Sequence, residues 1–122
     1  MLDHVTIGVT NFSKSLKFYD EALKGLGIAR NAGDGESYAG YSRDGKFAFW
    51  LTRKPGPVTG VHVALAAQSR KQVHLFYHHA LTAGGRDNGE PGLRPDYHPD
   101  YYAGFVLDPD GHNIEAVCHA SL

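Results

Sequence analysis

Hydrophobic and polar positions alternate from Leu2 to Thr10, with Val5, Ile7 and Val9 on one side and His4, Thr6 and Gly8 on the other. A period of two is that of a strand with one buried face. From Ser13 to Leu26 the period lengthens: Phe18, Tyr19, Ala22, Leu23 and Leu26 recur at helical spacing, and Gly27 stands where a helix ends. The same succession then returns. Val61, Val63 and Leu65 oppose His62, Ala64 and Ala66, and a second helix is predicted from about Arg70 to Ala83, stopped by Gly84-Gly85. Extended segments follow each helix, at Tyr38 to Ser42 and Lys46 to Arg53, then at Tyr101 to Leu107 and Asn113 to His119. A weaker extended piece precedes each pair, near Ile28 to Ala32 and Gly85 to Asn88. Arg43-Asp44-Gly45 and Asp108-Pro109-Asp110-Gly111 read as hairpin turns, and Lys54-Pro55-Gly56-Pro57 as a linker.

The recurrence is a repeat in the residues themselves. A shift of 58 lays His4-Val5 on His62-Val63, Phe18-Tyr19 on Phe76-Tyr77, Ala22-Leu23 on Ala80-Leu81 and Gly27 on Gly85. Asn11 falls on Ser69, both good helix N-caps. At an offset of 64, Tyr38-Ala39-Gly40-Tyr41 meets Tyr102-Ala103-Gly104-Phe105. A series that spans a strand and a helix means two copies of one supersecondary unit. The expectation is an α+β fold of two tandem βαβββ modules, about 1–54 and 59–122, within a single domain over 1–122. The modules would form a cupped, mostly antiparallel sheet with helices on its outer face.

With 122 residues, the chain has material for one modest core. Twelve Lys and Arg against thirteen Asp and Glu leave a net charge of −1, and no basic stripe occurs, which argues against nucleic acid and anionic membranes as partners. The apolar stretch from Val61 to Ala67 is too short to cross a bilayer and contains His62. Met1-Leu2-Asp3-His4 leads directly into strand pattern, without the basic and apolar run of a secretory leader. Cys118 has no second cysteine to pair with, which fits a reducing compartment; the expected location is the cytoplasm. Eight histidines invite a search for a metal site.

The paired modules, the histidines that open their first strands (His4 and His62), and Asp108-Pro109-Asp110-Gly111-His112-Asn113-Ile114-Glu115 resemble the vicinal oxygen chelate superfamily. That superfamily includes glyoxalase I, extradiol dioxygenases, fosfomycin-resistance thiol transferases and bleomycin-binding proteins. The resemblance covers almost the whole chain, except the loop from Pro91 to Asp100. His4, His62 and Glu115 all fall on polar strand faces, and two imidazoles with one carboxylate make a facial set that leaves positions on a divalent ion for substrate. The resemblance puts metal ligands at these three positions. It also implies a homodimer, because short members often build each site from modules of two chains. Ligand types alone do not separate Fe, Mn, Zn, Ni or Co.

Departures from the family patterns narrow the expectation. The fourth, glutamate ligand of glyoxalase I would fall on Phe49 or Trp50, and neither binds a metal. Thr6 fits the thiol transferases, but the tyrosine they carry before the Asp-Pro-Asp-Gly turn is Phe105, and their arginine-bearing tail has no counterpart. The catalytic His and Tyr of extradiol enzymes have no evident equivalents. The expected function is therefore a divalent-metal-dependent lyase, isomerase, transferase or dioxygenase acting on a small oxygen-chelating substrate. The alternative is a metal-free protein that sequesters a small aromatic or drug-like ligand.

The loop Gly92 to Tyr102 packs Arg94, Asp96, Tyr97, His98, Asp100, Tyr101 and Tyr102 into one stretch. As a substrate wall, it would use Arg94 to bind a carboxylate or phosphate, with His98 or Tyr102 as acid/base; otherwise its tyrosines cover a sheet edge or dimer seam. Trp50 is expected in the concavity beside Ala48 and Thr52, as a wall for substrate or as filling. His74 and His78 have a zinc-compatible i, i+4 spacing, yet flank the buried stripe Val73, Phe76, Tyr77, Ala80 and Leu81 and read as solvated.

Overall fold

The computed structural model describes residues 2–58 and 60–121. The two chain ends and the proposed start of the second module at 59 lie outside the described residues. The elements run β1 (Val5–Val9), α1 (Phe12–Lys24), β2 (Ala29–Gly33), β3 (Tyr38–Arg43), β4 (Lys46–Arg53), β5 (His62–Ala66), α2 (Arg70–Thr82), β6 (Arg86–Leu93), β7 (Tyr102–Leu107) and β8 (Asn113–Cys118). Each half is βαβββ, as the repeat requires. The strands form two four-stranded sheets, ordered β1-β4-β3-β2 and β5-β8-β7-β6. Each is mixed: β1–β4 and β5–β8 are parallel, and the other pairs antiparallel.

Capping fixes the helices as the sequence suggests. The Asn11 side chain accepts from Lys14 N–H at 3.2 Å, and Ser69 does the same for Gln72 N–H at 3.2 Å. Asp44 (φ 53°) and Gly45 (φ 77°) supply the left-handed turn between β3 and β4. The helix-facing residues of both sheets and the buried sides of both helices share one core that includes Ile7, Val9, Phe18, Leu23, Phe49, Leu51, Phe76, Val106, Ile114 and Ala116. The α1 end approaches α2 so closely that a Cβ on Gly25 would sit 2.5 Å from the Phe76 backbone nitrogen.

Two segments differ from the pattern-based reading. β6 runs past Asn88 to Leu93, taking in Pro91 from the expected loop; as the sheet edge it tolerates proline, and bulges around Gly89 (φ 146°) absorb the register shifts. In β4, a register shift opposite Tyr41/Ser42 breaks strict alternation. Trp50 consequently stacks on Phe47, with centroids 5.5 Å apart, while Ala48 lines a cleft with Phe49.

Candidate functional site

The open face of the second sheet, opposite its helix, gathers the polar groups. Register places Ala64 beside Glu115, Glu115 beside Phe105 and Phe105 beside Gly89, giving one row across all four strands. His62 projects from β5 with its Nε2 3.0 Å from Glu115 Oε1. The imidazole is half exposed, whereas the Glu115 side chain is 2% exposed. A buried carboxylate needs partners. Its second oxygen, Oε2, accepts a short hydrogen bond from the Tyr101 hydroxyl.

The His62 ring is oriented from behind. Its Nδ1 lies 3.1 Å from the Asn113 carbonyl, which only accepts, so Nδ1 carries a proton. Nε2 then has a lone pair in the neutral ring, and its contact with Glu115 requires a second proton or a cation between the two atoms. A spacing of 3.0 Å also suits neighbouring ligands on a six-coordinate divalent ion with bonds of about 2.1 Å. With Nδ1 on a carbonyl and the second carboxylate oxygen on a phenol, this pair has the outer hydrogen bonds that metal ligands use.

The loop between β6 and β7 closes over the same face. Arg94 N–H bonds the Tyr101 carbonyl at 2.7 Å, and Tyr101 N–H bonds the His98 carbonyl at 3.1 Å. The His98 Nδ1 accepts from Asp100 N–H at 3.0 Å, so its neutral ring carries the proton on Nε2, 3.4 Å from His119 Nδ1. The Arg94 guanidinium lies over the Phe105 ring, 5.3 Å from Cζ to centroid. Burial, and then the bond to Glu115, push the Tyr101 phenol up to about 12, so it is a proton donor at neutral pH.

Tyr102 takes the other face. Its hydroxyl bonds His74 Nε2 at 2.6 Å, and Arg70 lies over its ring. Because side chains alternate, Tyr102 and Gly104 face α2, while Tyr101 reaches Glu115. The tyrosine of this site was thus missed by one residue, and Phe105 and His119 by omission. The signal was available: Phe105 is opposite Glu115, and counting back in twos from Phe105 arrives at Tyr101. His74 and His78 are exposed, as their helical positions implied.

His4 stands apart. Its side chain is 53% exposed and its Nδ1 is 2.8 Å from the Asp3 carboxylate. With Asp3 it lines an apolar cleft of about 290 Å³ between the modules, along with Val5, Tyr41, Phe49, Val63 and Leu65. Thr6 is exposed and paired in register with Trp50. The indole lies against Gly40, where a Cβ would meet its ring at 2.5 Å.

Among the described residues, Asp108, Asp110 and His112 form the one trio of ligand-type side chains with candidate atoms within 4.8 Å of one another. By distance alone, the trio could hold a cation. However, all these atoms are already engaged. Asp108 accepts from the Tyr19 hydroxyl and from the backbone N–H groups of Asp110 and His112. Asp110 accepts from Thr10 N–H and Oγ1–H, while the His112 nitrogens bind Val61 N–H and the Gly8 carbonyl. These bonds tie the first module to the second and make the trio a clasp.

Comparison with known proteins agrees with this architecture. A family model described as Glyoxalase/Bleomycin resistance protein/Dioxygenase superfamily matches residues 1–116. A glyoxalase/bleomycin resistance protein from Albidiferax ferrireducens T118 is 31% identical, with 94% of this chain and 96% of that one covered and a TM-score of 0.82. A glyoxalase-related enzyme from Fulvimarina pelagi shares the fold at 20% identity, covering 97% and 87% with a TM-score of 0.73. A glyoxylase/bleomycin resistance protein/dioxygenase domain from Frankia sp. EAN1pec does so at 18%, covering 97% and 96% with a TM-score of 0.71. No curated protein matches. The chain belongs to the glyoxalase/bleomycin resistance/dioxygenase superfamily.

Proposed function

We propose that this protein is a cytoplasmic, divalent-metal-dependent enzyme acting on a small oxygen-chelating substrate, as a lyase, isomerase, transferase or dioxygenase. The observation that carries this reading is the 3.0 Å approach of His62 Nε2 to Glu115 Oε1, with the His62 Nδ1 proton already donated to Asn113. His62 and Glu115 would hold the ion, which would be Fe, Mn, Zn, Ni or Co. A bound divalent ion supplies Lewis acidity to neighbouring substrate oxygens.

The remaining chemistry belongs to the chain. The Tyr101 hydroxyl orients Glu115 and keeps its proton at neutral pH. His98, its Nδ1 held by Asp100 N–H and its Nε2–H directed at His119 Nδ1, would serve as an acid/base group only once a substrate displaces the His119 contact. The phenyl ring of Phe105 lies nearly parallel to the His62 imidazole, with centroids 6.3 Å apart.

His4 would complete the ligand set from a second copy of the chain. Among the described residues of one chain, His4 belongs to no group of three ligand-type side chains with atoms within 4.8 Å of one another. A homodimer that joins the first module of one protomer to the second module of its partner would bring Thr6 and Trp50 opposite Arg94 and His98. The competing reading, a metal-free protein that binds an aromatic ligand, is favoured by the same His62–Glu115 contact if a proton bridges it.

Elemental analysis of the untagged protein separates the two. Near-stoichiometric metal, lost in His62→Ala and Glu115→Gln, is the expected result. Metal-free protein after dialysis against Fe(II), Mn(II), Ni(II) and Zn(II) would overturn the enzyme reading and leave sequestration.

A further inference from the structure

We propose that Arg94 anchors an anionic group, so that the ligand of this site is a small organic acid bearing a carboxylate or phosphate at the end remote from its chelating oxygens. The chelating end rests on the metal reading above; the anion-binding end does not.

Four observations converge on Arg94. Its guanidinium lies over Phe105, 5.3 Å from Cζ to the ring centroid. The imidazole of His62 also stacks on that ring, 6.3 Å away between centroids and inclined by 22°. Strand order β5-β8-β7-β6 therefore sets Phe105 between His62 and Arg94. Second, the guanidinium is held in place: Nη2 donates to the Glu90 carbonyl at 2.8 Å, and the Arg94 main chain is fixed by Tyr101 at 2.7 Å.

Third, the strand beneath is cleared for it. A Cβ on Gly89 or on Gly92 would come within 3.2 Å of a guanidinium nitrogen, and Gly89 has a φ of 146° that side chains rarely adopt. Fourth, among the described residues no carboxylate lies within ion-pair distance of Arg94. A fixed guanidinium with spare N–H donors and no internal counter-ion suits the planar fork of a carboxylate or phosphate. The ring of Phe105 sets the spacing between the two ends.

The test is titration calorimetry with benzoate, benzamide and phenyl phosphate on the metal-loaded wild type, Arg94→Gln and His62→Ala. Benzoate and benzamide have the same shape and differ in charge. Wild type should bind benzoate or phenyl phosphate about tenfold more tightly than benzamide, as a charge-assisted bond provides. The stronger of the two anions identifies the group. Arg94→Gln should abolish the preference, and His62→Ala should keep it.

A preference that survives in Arg94→Gln overturns the inference, as does its absence in wild type. Arg94 anion binding in a protein without metal would overturn only the enzyme reading. A measurement on intact wild type guards against a poorly folded variant: the guanidinium ¹⁵N signals of Arg94 should move with benzoate and stay in place with benzamide. Stationary signals with both would also overturn the inference.

Discussion

His112 holds Gly8. Its Nε2 donates to the Gly8 carbonyl at 2.8 Å, across 104 residues of sequence, while its Nδ1 accepts from Val61 N–H at 3.0 Å. One buried imidazole thus fixes β1 near its end and the approach to β5, the strands that His4 precedes and His62 begins.

Replacing His112 with leucine would strand a carbonyl and an N–H inside the clasp. The expected loss is about 2–6 kcal/mol, because each of the two unpaired groups costs roughly 1–3 kcal/mol. Urea denaturation should show it as a lower midpoint with an unchanged slope, and His112→Gln should lose less.

The meeting of the helices is equally sensitive. A methyl on Gly25 would approach the Phe76 nitrogen to 2.5 Å and the Leu75 carbonyl carbon to 2.6 Å, both backbone atoms without freedom to turn aside. Gly25→Ala should cost about 1–3 kcal/mol through overpacking. Thermal unfolding followed by circular dichroism should show a reduced Tm for this variant, and Gly45→Ala, where a Cβ meets open space but φ is 77°, separates strain from collision.

Tyr101 sets an alkaline limit. Its phenol is pushed from 10.0 up to about 12, so the folded protein holds the proton more tightly than the unfolded chain. The stabilisation is complete below pH 10 and is lost as pH rises from 10 towards 12. Tyr77 titrates alongside it, raised to about 12 by burial and its bond to Asp87. The phenolate absorbance of wild type minus that of Tyr101→Phe should therefore isolate one phenol with its midpoint near 12.

Mixing variants tests the shared site. In a dimer of His4→Ala with His62→Ala, one site collects both defects and the other is intact. Each variant alone should bind little metal; after subunit exchange, random pairing should restore about a quarter of the wild-type content. Metal content that stays at the level of the single variants would place all ligands within one chain.

The fold was legible because two periods and their caps repeat. Asn11 and Ser69 mark both helix starts, and the alternation in β1 and β5 assigns the core-side residues of both, mostly buried in β1 and half-buried in β5. What failed to show was local and came from the backbone. Bulges leave no trace in hydrophobic alternation, so the extension of β6 through Pro91 and the displacement of Ala48 from the Trp50 face went unseen. At the site, His62 and Glu115 were visible as polar residues on strands with apolar opposite faces. Tyr101 was not, because adjacent tyrosines at a strand start give no sign of which one faces inward until Phe105 is paired with Glu115. The clasp role of His112 was hidden for a different reason: its partners, Gly8 and Val61, contribute backbone atoms, which residue types do not reveal.

β1 and β5 are both terminal strands of their sheets, five residues long and hydrogen-bonded to a strand on one side only. Among the described residues no strand pairs with the outer row of β1, where His112 holds the Gly8 carbonyl. Where such an edge is completed by a second molecule, the number of working sites follows mass action: dilution would empty them, and concentration would assemble them, with no change inside either protomer.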